Sequence, residues 1–362
     1  MRILYILTTL GIGGAEKQAI GVAERMAARG HAVALIALKH ADEEWPVKLP
    51  VLRLNMRKTP LGIFRALRFV RKFIALFRPD ILHSHSFPAN IFTRLLRIGK
   101  LQASAVNTIH NIHEGGWHRM AIYRLTNSWA DRVTAVSTAA AERFVRRHAV
   151  SKNKMTILTN GLDVEEFAPD RSRRKITRKR MRVSDDFVWL AAGRIAPAKD
   201  YPNLLRAFAL VRREHPQAVL WIAGEGDTAP LAPFISDDSG AQFLGLRRDI
   251  LALLDAADAF VLSSAWEGMP LALGEAMAMQ LPFVVTDVGG VHELAGDAGL
   301  IVPPKDEKAL AGAMLQVMAM GEGQRSNIGR AARERIQQDF SIDAKADEWE
   351  RLYARLEKRG LS

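Results

Sequence analysis

The sequence contains no cysteine, which excludes disulfides, thiolate metal sites, iron–sulfur clusters and cysteine nucleophiles and suits a reducing compartment. It also lacks any uninterrupted apolar run approaching the roughly 18 to 20 residues that cross a bilayer. No signal peptide is read at the start: Met1 to Thr8 form a short apolar stretch that runs into Gly11-Ile12-Gly13-Gly14 rather than a small-residue cleavage site. Those absences point to a cytoplasmic protein, soluble or held on the inner face of the cytoplasmic membrane. Aromatics make up only 7% of the chain, and few interleave with the basic segments. That argues against a nucleic-acid surface built on base stacking.

What is present is a chain of 362 residues, 48% hydrophobic and 25% charged, longer than one core usually serves. Charge is unevenly placed. Residues 1–182 hold 33 Lys and Arg against 13 Asp and Glu, a net +20; the remainder holds 18 against 26, a net −8. The basic half suits a phosphorylated substrate, anionic lipid or nucleic acid, and charge alone does not choose among them.

Short β-rich apolar runs alternate with amphipathic helical stretches throughout. Strands are read at Arg2 to Thr8, Ala32 to Leu38, Ile81 to His83, Ala105 to Ile109, Val133 to Val136 and Met155 to Leu158, with a helix from Gly14 to about Ala28. The pattern resumes with strands at Phe187 to Ala192, Ala218 to Ala223, Ala259 to Leu262 and Phe283 to Thr286, and helices over Leu204 to Arg213 and Leu271 to Met279. Alternation of this kind predicts an α/β fold of two doubly wound parallel-sheet domains, with ligands at the carboxyl ends of the strands and a cleft between the domains. We divide the chain into 1–170, 171–340 and a terminal helix, 341–362. The cationic run Arg171 to Arg182 is read as the linker.

Several residues carry chemistry. Gly193, Arg194 and Lys199 follow the strand ending at Ala192, a placement that suits a diphosphate needing a bidentate fork and a point charge. Two solvated surface cations is the plain alternative. In Glu267-Gly268-Met269-Pro270-Leu271, a carboxylate precedes a helix whose first amides, around Met269 to Leu271, can receive an anion; Glu275 lies just over a turn inside. Two carboxylates so spaced suit separate hydroxyl-bearing parts of one ligand, although this spacing also arises by chance.

Together with Asn160-Gly161-Leu162-Asp163, Gly13-Gly14-Ala15-Glu16, Gly245-Leu246-Arg247-Arg248-Asp249 and Thr286-Asp287-Val288-Gly289-Gly290 with Glu293, these strings resemble the retaining glycosyltransferase family 4, in order along nearly the whole chain. The resemblance implies a GT-B fold, two Rossmann-like domains with the C-terminal helix returning to the first. It implies a nucleotide-diphosphate sugar as donor, with a UDP-sugar favoured. By that likeness Arg194 and Lys199 hold the diphosphate, Glu275 the ribose and Glu267 the transferred sugar. Amides near Leu271 and in the Gly13-Gly14 loop would complete the surroundings, with Gly193, Gly268, Met269 and Pro270 among the donor-binding residues and the base near Gly245 and Leu246. His110, after the strand Ala105 to Ile109, matches a histidine that relatives keep near the donor sugar; a satisfied loop histidine is the alternative.

The resemblance further implies no required cofactor or metal. His83, His85, His110, His113 and His118 include chelating spacings, but no Asp-x-Asp follows a strand and paired cations can neutralise the diphosphate. The expected acceptor is a glycan or a polyprenyl-diphosphate-linked glycan of envelope polysaccharide synthesis. Residues Leu61 to Phe77 form a basic amphipathic stretch, a candidate membrane-surface helix in which Phe64, Leu67, Val70 or Arg71, and Ile74 alternate with Arg65, Arg68 and Lys72. Its alternative is a sheet-covering helix with a solvated basic face. Rival functions are an anionic-surface or nucleic-acid binding protein, and a nucleotide-sugar epimerase or glycoside phosphorylase on the same architecture. An epimerase turns over without acceptor; a transferase then shows only slow hydrolysis.

Overall fold

The computed structural model describes residues 1–99, 101–183, 185–235 and 238–360. It divides into two compact units, 1–161 with 342–362, and 162–341.

Unit 1 begins with β1 (Arg2–Leu7), α1 (Gly14–Ala28), β2 (Ala32–Ala37), β3 (Val51–Arg53) and α2 (Pro60–Phe77). It continues with β4 (Ile81–His85), α3 (Phe87–Leu96), β5 (Ser104–Ile109), α4 (Trp117–Leu125), β6 (Arg132–Ala135), α5 (Thr138–Arg146) and β7 (Met155–Ile157). The seven strands are parallel in the order β3-β2-β1-β4-β5-β6-β7. Parallel strands covered on both faces must be apolar on both, and Ile3 to Leu7 are all buried. Ile3, Tyr5 and Leu7 meet α1 and the terminal helix; Leu4 and Ile6 meet α2 and α3. Winding reverses direction between β1 and β4, so the carboxyl ends of those strands are a ligand-binding position.

Unit 2 runs through α6 (Arg171–Arg180), β8 (Val188–Ala192), α7 (Tyr201–Glu214), β9 (Val219–Ala223), β10 (Ala241–Gly245) and α8 (Ile250–Ala256). It continues with β11 (Ala259–Leu262), α9 (Leu271–Ala278), β12 (Phe283–Thr286), α10 (Val291–Ala295), β13 (Leu300–Val302), α11 (Glu307–Ala319) and α12 (Glu322–Asp339). Its six parallel strands lie in the order β10-β9-β8-β11-β12-β13, which puts the reversal between β8 and β11. The core packs Trp189, Leu220, Ile222, Val261 and Val284 against α7 and α11. The last helix, α13 (Ile342–Gly360), belongs to unit 1, where Trp349, Leu352 and Tyr353 join the core beneath β1 and β2.

The structure differs from the sequence reading at the join. The division falls at Gly161 and Leu162, nine residues before the expected boundary, because the stretch that follows is tied into unit 2. Arg333 donates to the carbonyls of Val164 and Phe167, at 3.0 and 2.6 Å, and Asp255 accepts from the Asp170 amide at 2.8 Å.

Nor is the cationic run a linker. It forms α6, capped by the Asp170 carboxylate, which accepts from the amides of Ser172 and Arg173. Arg174 donates to the carbonyls of Asp255 and Ala257 and Arg178 to that of Ala256, satisfying oxygens at the end of α8 that have no partner within the helix. Both guanidiniums also reach the Asp258 carboxylate, at 2.6 and 3.1 Å.

Candidate functional site at the carboxyl edge of the second sheet

Three adjacent strands of unit 2 end in glycine. Gly193 follows β8, Gly224 follows β9 and Gly245 closes β10. The Gly193 amide donates to Ala223 O and the Gly224 amide to Gly245 O, both at 2.9 Å. A side chain at Gly224 would put its Cβ 1.9 Å from Gly193 O, so only glycine allows the two turns to touch. Ile195 N donates to Glu225 O at 2.7 Å, and Tyr201 donates its hydroxyl to Gly193 O at 2.7 Å. Arg194 emerges exposed from this braced turn.

A single 3-10 turn, Pro197–Lys199, then delivers Lys199 across the strand-order reversal to the loop after β11. Lys199 Nζ donates to Glu267 Oε1 at 2.6 Å, and Ser264 Oγ donates to the same oxygen at 2.6 Å. The two loops are joined by backbone as well: Ala265 N donates to Ala198 O at 2.8 Å, and Ser263 Oγ to Lys199 O at 2.8 Å. On the far side, Thr286 Oγ1 donates to Ser264 O at 2.7 Å and Gly290 N to Gly268 O at 2.8 Å. Gly289, at φ 59°, lies where a Cβ would come within 2.0 Å of Glu267 O. Glu267 is thus buried and fixed through its side chain and the carbonyl of its neighbour Gly268, with its own carbonyl close against Gly289.

Pro270 caps α9 in extended conformation, and no side chain occupies the cap. The first amides of α9, with their positive end of the helix dipole, therefore face the loop that carries Glu267. Glu275 sits inside α9, buried. The arrangement combines one exposed guanidinium, an ammonium with capacity for further hydrogen bonds, a helix N-terminus and two buried carboxylates. It suits a ligand with an anionic centre and hydroxyl groups on either side.

The structure thus joins Gly193, Lys199, Glu267, Gly268, Met269, Pro270 and Leu271 through one bonded set of loops. Gly245 and Leu246 stand at the end of β10, linked to it through Gly224. Gly13, Gly14 and His110 belong to unit 1. There Gly13 caps α1 without a side-chain bond, and Thr9 Oγ1 donates to Glu16 Oε1 at 3.3 Å. Ser264, Tyr201, Gly224 and Gly289 were given no role by sequence, although Ser264 stands just before Glu267 and Gly289 lies within Thr286-Asp287-Val288-Gly289-Gly290.

His110 closes a polar core in unit 1. Its Nε2 lies 2.8 Å from His85 Nδ1, and its backbone amide donates to Glu114 Oε1 at 3.1 Å. Burial holds the His110 ring down to about 4, so the imidazole is neutral at ordinary pH. Burial also holds His83 and His85 well below the usual histidine range, with neighbouring imidazoles adding to the effect. His83 is occupied by Tyr353 and Thr108, at 2.7 Å each. Glu114 is pushed up to about 7 by burial, against the opposing pull of the Tyr123 hydroxyl, which donates to it at 2.7 Å. Among the described residues no group of three His, Cys, Asp or Glu is placed to hold a metal ion.

Comparison with known proteins agrees with this architecture. The family model described as Glycosyltransferase Family 4 matches residues 12–166, and that described as Glycosyl transferases group 1 matches residues 186–320. The chain is 27% identical over 293 residues to the Escherichia coli UDP-Gal:alpha-D-GlcNAc-diphosphoundecaprenol alpha-1,3-galactosyltransferase, spanning 76% of this chain and 75% of that one. It is 23% identical over 341 residues to the capsular polysaccharide biosynthesis glycosyltransferase CapM of Staphylococcus aureus, covering 87% and 86%. Among solved structures, Anabaena HepE in complex with UDP and glucose superposes with a TM-score of 0.86 at 20% identity, over 98% of this chain and 99% of that one. WaaG, a glycosyltransferase involved in lipopolysaccharide biosynthesis, superposes with a TM-score of 0.75 at 17% identity, over 95% and 98%.

Proposed function

The chain belongs to the family 4 glycosyltransferases, and from that premise we propose that it transfers a sugar, with retention, from a UDP-sugar to a hydroxyl of a polyprenyl-diphosphate-linked glycan during envelope polysaccharide synthesis. The observation that carries the reading is the Lys199–Glu267 pair, set across the strand-order reversal of unit 2 beside the N-terminus of α9. The UDP preference draws support from the names of the E. coli relative and of the HepE complex; the lipid-linked acceptor draws support from the former alone.

In this reading Arg194, the remaining N–H groups of Lys199 and the first amides of α9 bind the diphosphate. Glu267 has one oxygen committed to Lys199 and Ser264, and its other oxygen accepts from a hydroxyl of the transferred sugar. Glu275 accepts from the ribose, and the base lies near Gly245 and Leu246. Within unit 1, the neutral His110 is the proposed hydrogen-bonding group, with the Gly13-Gly14 loop, and the acceptor is assigned to that unit.

The bond between the anomeric carbon and the diphosphate oxygen breaks with its electron pair going to phosphate. The acceptor oxygen bonds the same face of that carbon, and its proton passes to the departing phosphate oxygen. Retention through a covalent intermediate needs a carboxylate nucleophile. Glu267 is instead held by two donors, so stabilisation of the leaving diphosphate is the main catalytic term. No metal ion is required, because cations and amides of the chain neutralise the charge.

The test is incubation with UDP-sugars and a short polyprenyl-diphosphate-linked sugar, with anomeric NMR of the product. Transfer with retained configuration is expected. An inverted product would overturn the mechanism, and brisk acceptor-free conversion of the sugar nucleotide would point to an epimerase.

A further inference from the structure

Among the described residues ten large apolar side chains are exposed, and eight of them sit on α2, just past the end of α3, or on α4. These helices are neighbours on unit 1. Arg71 of α2 donates to the carbonyls of Leu95 and Ile98, at 3.3 and 2.6 Å, and Arg94 of α3 donates to the carbonyl of Tyr123 on α4 at 2.9 Å. Such a concentration on one surface asks for an occupant.

Of the two readings of α2, the sheet-covering one describes Val70 and Ile74, which are buried against β1, β2 and α3 with Leu67 packed beside them. What α2 exposes instead is a second stripe. Leu61, Phe64, Phe69 and Leu76 stand in the open with Arg65, Arg68 and Lys72 among them, at spacings of three and four that share one helical face. On α4, Trp117 is 81% exposed and Leu125 79%.

The charge of this surface has one sign. From Pro46 to Ala130 the only acids are Asp80 and Glu114, against fourteen Lys and Arg. Asp80 accepts from the Arg2 amide, and Glu114 is buried. No acidic side chain therefore stands on the exposed faces of α2 and α4.

We propose that the outer faces of α2 and α4 together form a docking surface for an anionic phospholipid bilayer. Leu61, Phe64, Leu76 and Trp117 would enter the boundary between headgroups and acyl chains, while Arg65, Arg68 and Lys72 reach lipid phosphates along the same stripe. Nucleic acid would meet the cations but leave unused the aliphatic side chains set in line with them, whereas a bilayer surface offers phosphates and acyl chains side by side. No helix among the described residues is long and apolar enough to cross a membrane, so the contact is peripheral.

The experiment uses the full chain with vesicles of phosphatidylcholine alone or with phosphatidylglycerol. Sedimentation should show binding to the anionic vesicles that falls with salt. Trp117 fluorescence should shift to the blue and be quenched by brominated lipid, and both signals should largely vanish in Trp117→Phe. Changing Arg65, Arg68 and Lys72 to Gln should weaken binding by roughly tenfold or more. Changing Leu61, Phe64 and Leu76 to Ser should abolish the quenching. All these positions are exposed, and unchanged calorimetric binding of UDP by each variant keeps this result separate from the proposed reaction. Equal binding to neutral vesicles, wild-type binding by the Gln variant, or a bound state in which Trp117 stays in water would overturn the proposal. So would absence of vesicle binding combined with self-association or capture of nucleic acid.

Discussion

Lys199 Nζ and Ser264 Oγ converge on a single carboxylate oxygen, Glu267 Oε1, each at 2.6 Å, and residues 68 positions apart in sequence are thereby locked in one orientation. The pair stands between strands β8 and β11 and orients both members before any ligand arrives. Preorganisation of this kind spares the reorganisation that mobile side chains would undergo on binding.

Because the two side chains hold each other, their substitutions should not add. Lys199→Ala and Glu267→Ala should each lower kcat/KM, and the double variant should be less impaired than the product of the two effects, with a coupling of about 1–3 kcal/mol. Steady-state kinetics on the four proteins of the cycle measures it. Strict additivity would mean that the pair seen in the structure does not persist in the working enzyme.

Asp258 binds Arg174, Arg178 and the Val188 amide, the last at 2.8 Å. Asp258→Ala would leave two guanidiniums and a backbone N–H at the start of β8 without their carboxylate. We expect unit 2 to lose about 2–4 kcal/mol of stability, read by urea denaturation. Lys175→Gln on the same helix is exposed and should be silent.

This helix shows what sequence did and did not reveal. Strands such as β11 and β12 were legible to the residue because both faces are buried and their runs are continuously apolar. The edge strands β3, β10 and β13 were not: β3 and β13 are only three residues long and β10 has no fully buried residue to mark its run, whereas the equally short β7 was read. Helix α6 was visible only as charge, because Arg174 and Arg178 are satisfied by carbonyls and a carboxylate 78 to 84 positions away. In the site, the residue types and their placement at strand ends could be read, since strand, turn and helix signals are local. The contact of Lys199 with Glu267 and the close approach of Gly289 could not, since each joins separate βα loops, and the bond from Ser264 to Glu267 follows from how their shared loop is folded.

Glu114 gives unit 1 a pH signature. Burial raises its carboxyl to about 7, above the ~4.3 of an unfolded chain, so between those values the folded state binds more protons. Its contribution to stability is therefore complete below about pH 4.3 and is lost as pH rises through about 7, by a few kcal/mol. His83, His85 and His110 titrate in the opposite sense at lower pH, so the comparison must be with Glu114→Gln. The wild type should lose stability relative to that variant from pH 5 to 7.5. A constant difference across that range would show that Glu114 is ionised throughout.

Charge neutralisation by Arg194, Lys199 and the amides of α9 predicts transfer in the presence of excess chelator. Turnover should be unchanged with several millimolar EDTA, whereas activity lost to chelator and restored by a divalent ion would assign that task to a metal.

The central claim, that unit 2 binds a nucleoside diphosphate sugar with its two carboxylates on different parts of the donor, is tested most directly by calorimetric titration of UDP into the wild type, Glu275→Ala and Glu267→Ala. A carboxylate hydrogen bond to a neutral hydroxyl is worth about 1.5–3 kcal/mol, and about 1.4 kcal/mol is a factor of ten. Glu275→Ala should therefore weaken UDP by roughly ten- to a hundred-fold, since the ribose is present in UDP. Glu267→Ala should leave the UDP affinity close to that of the wild type, since its sugar partner is absent. Equal loss in both variants, loss in neither, or a wild type that binds no nucleoside diphosphate would contradict the account.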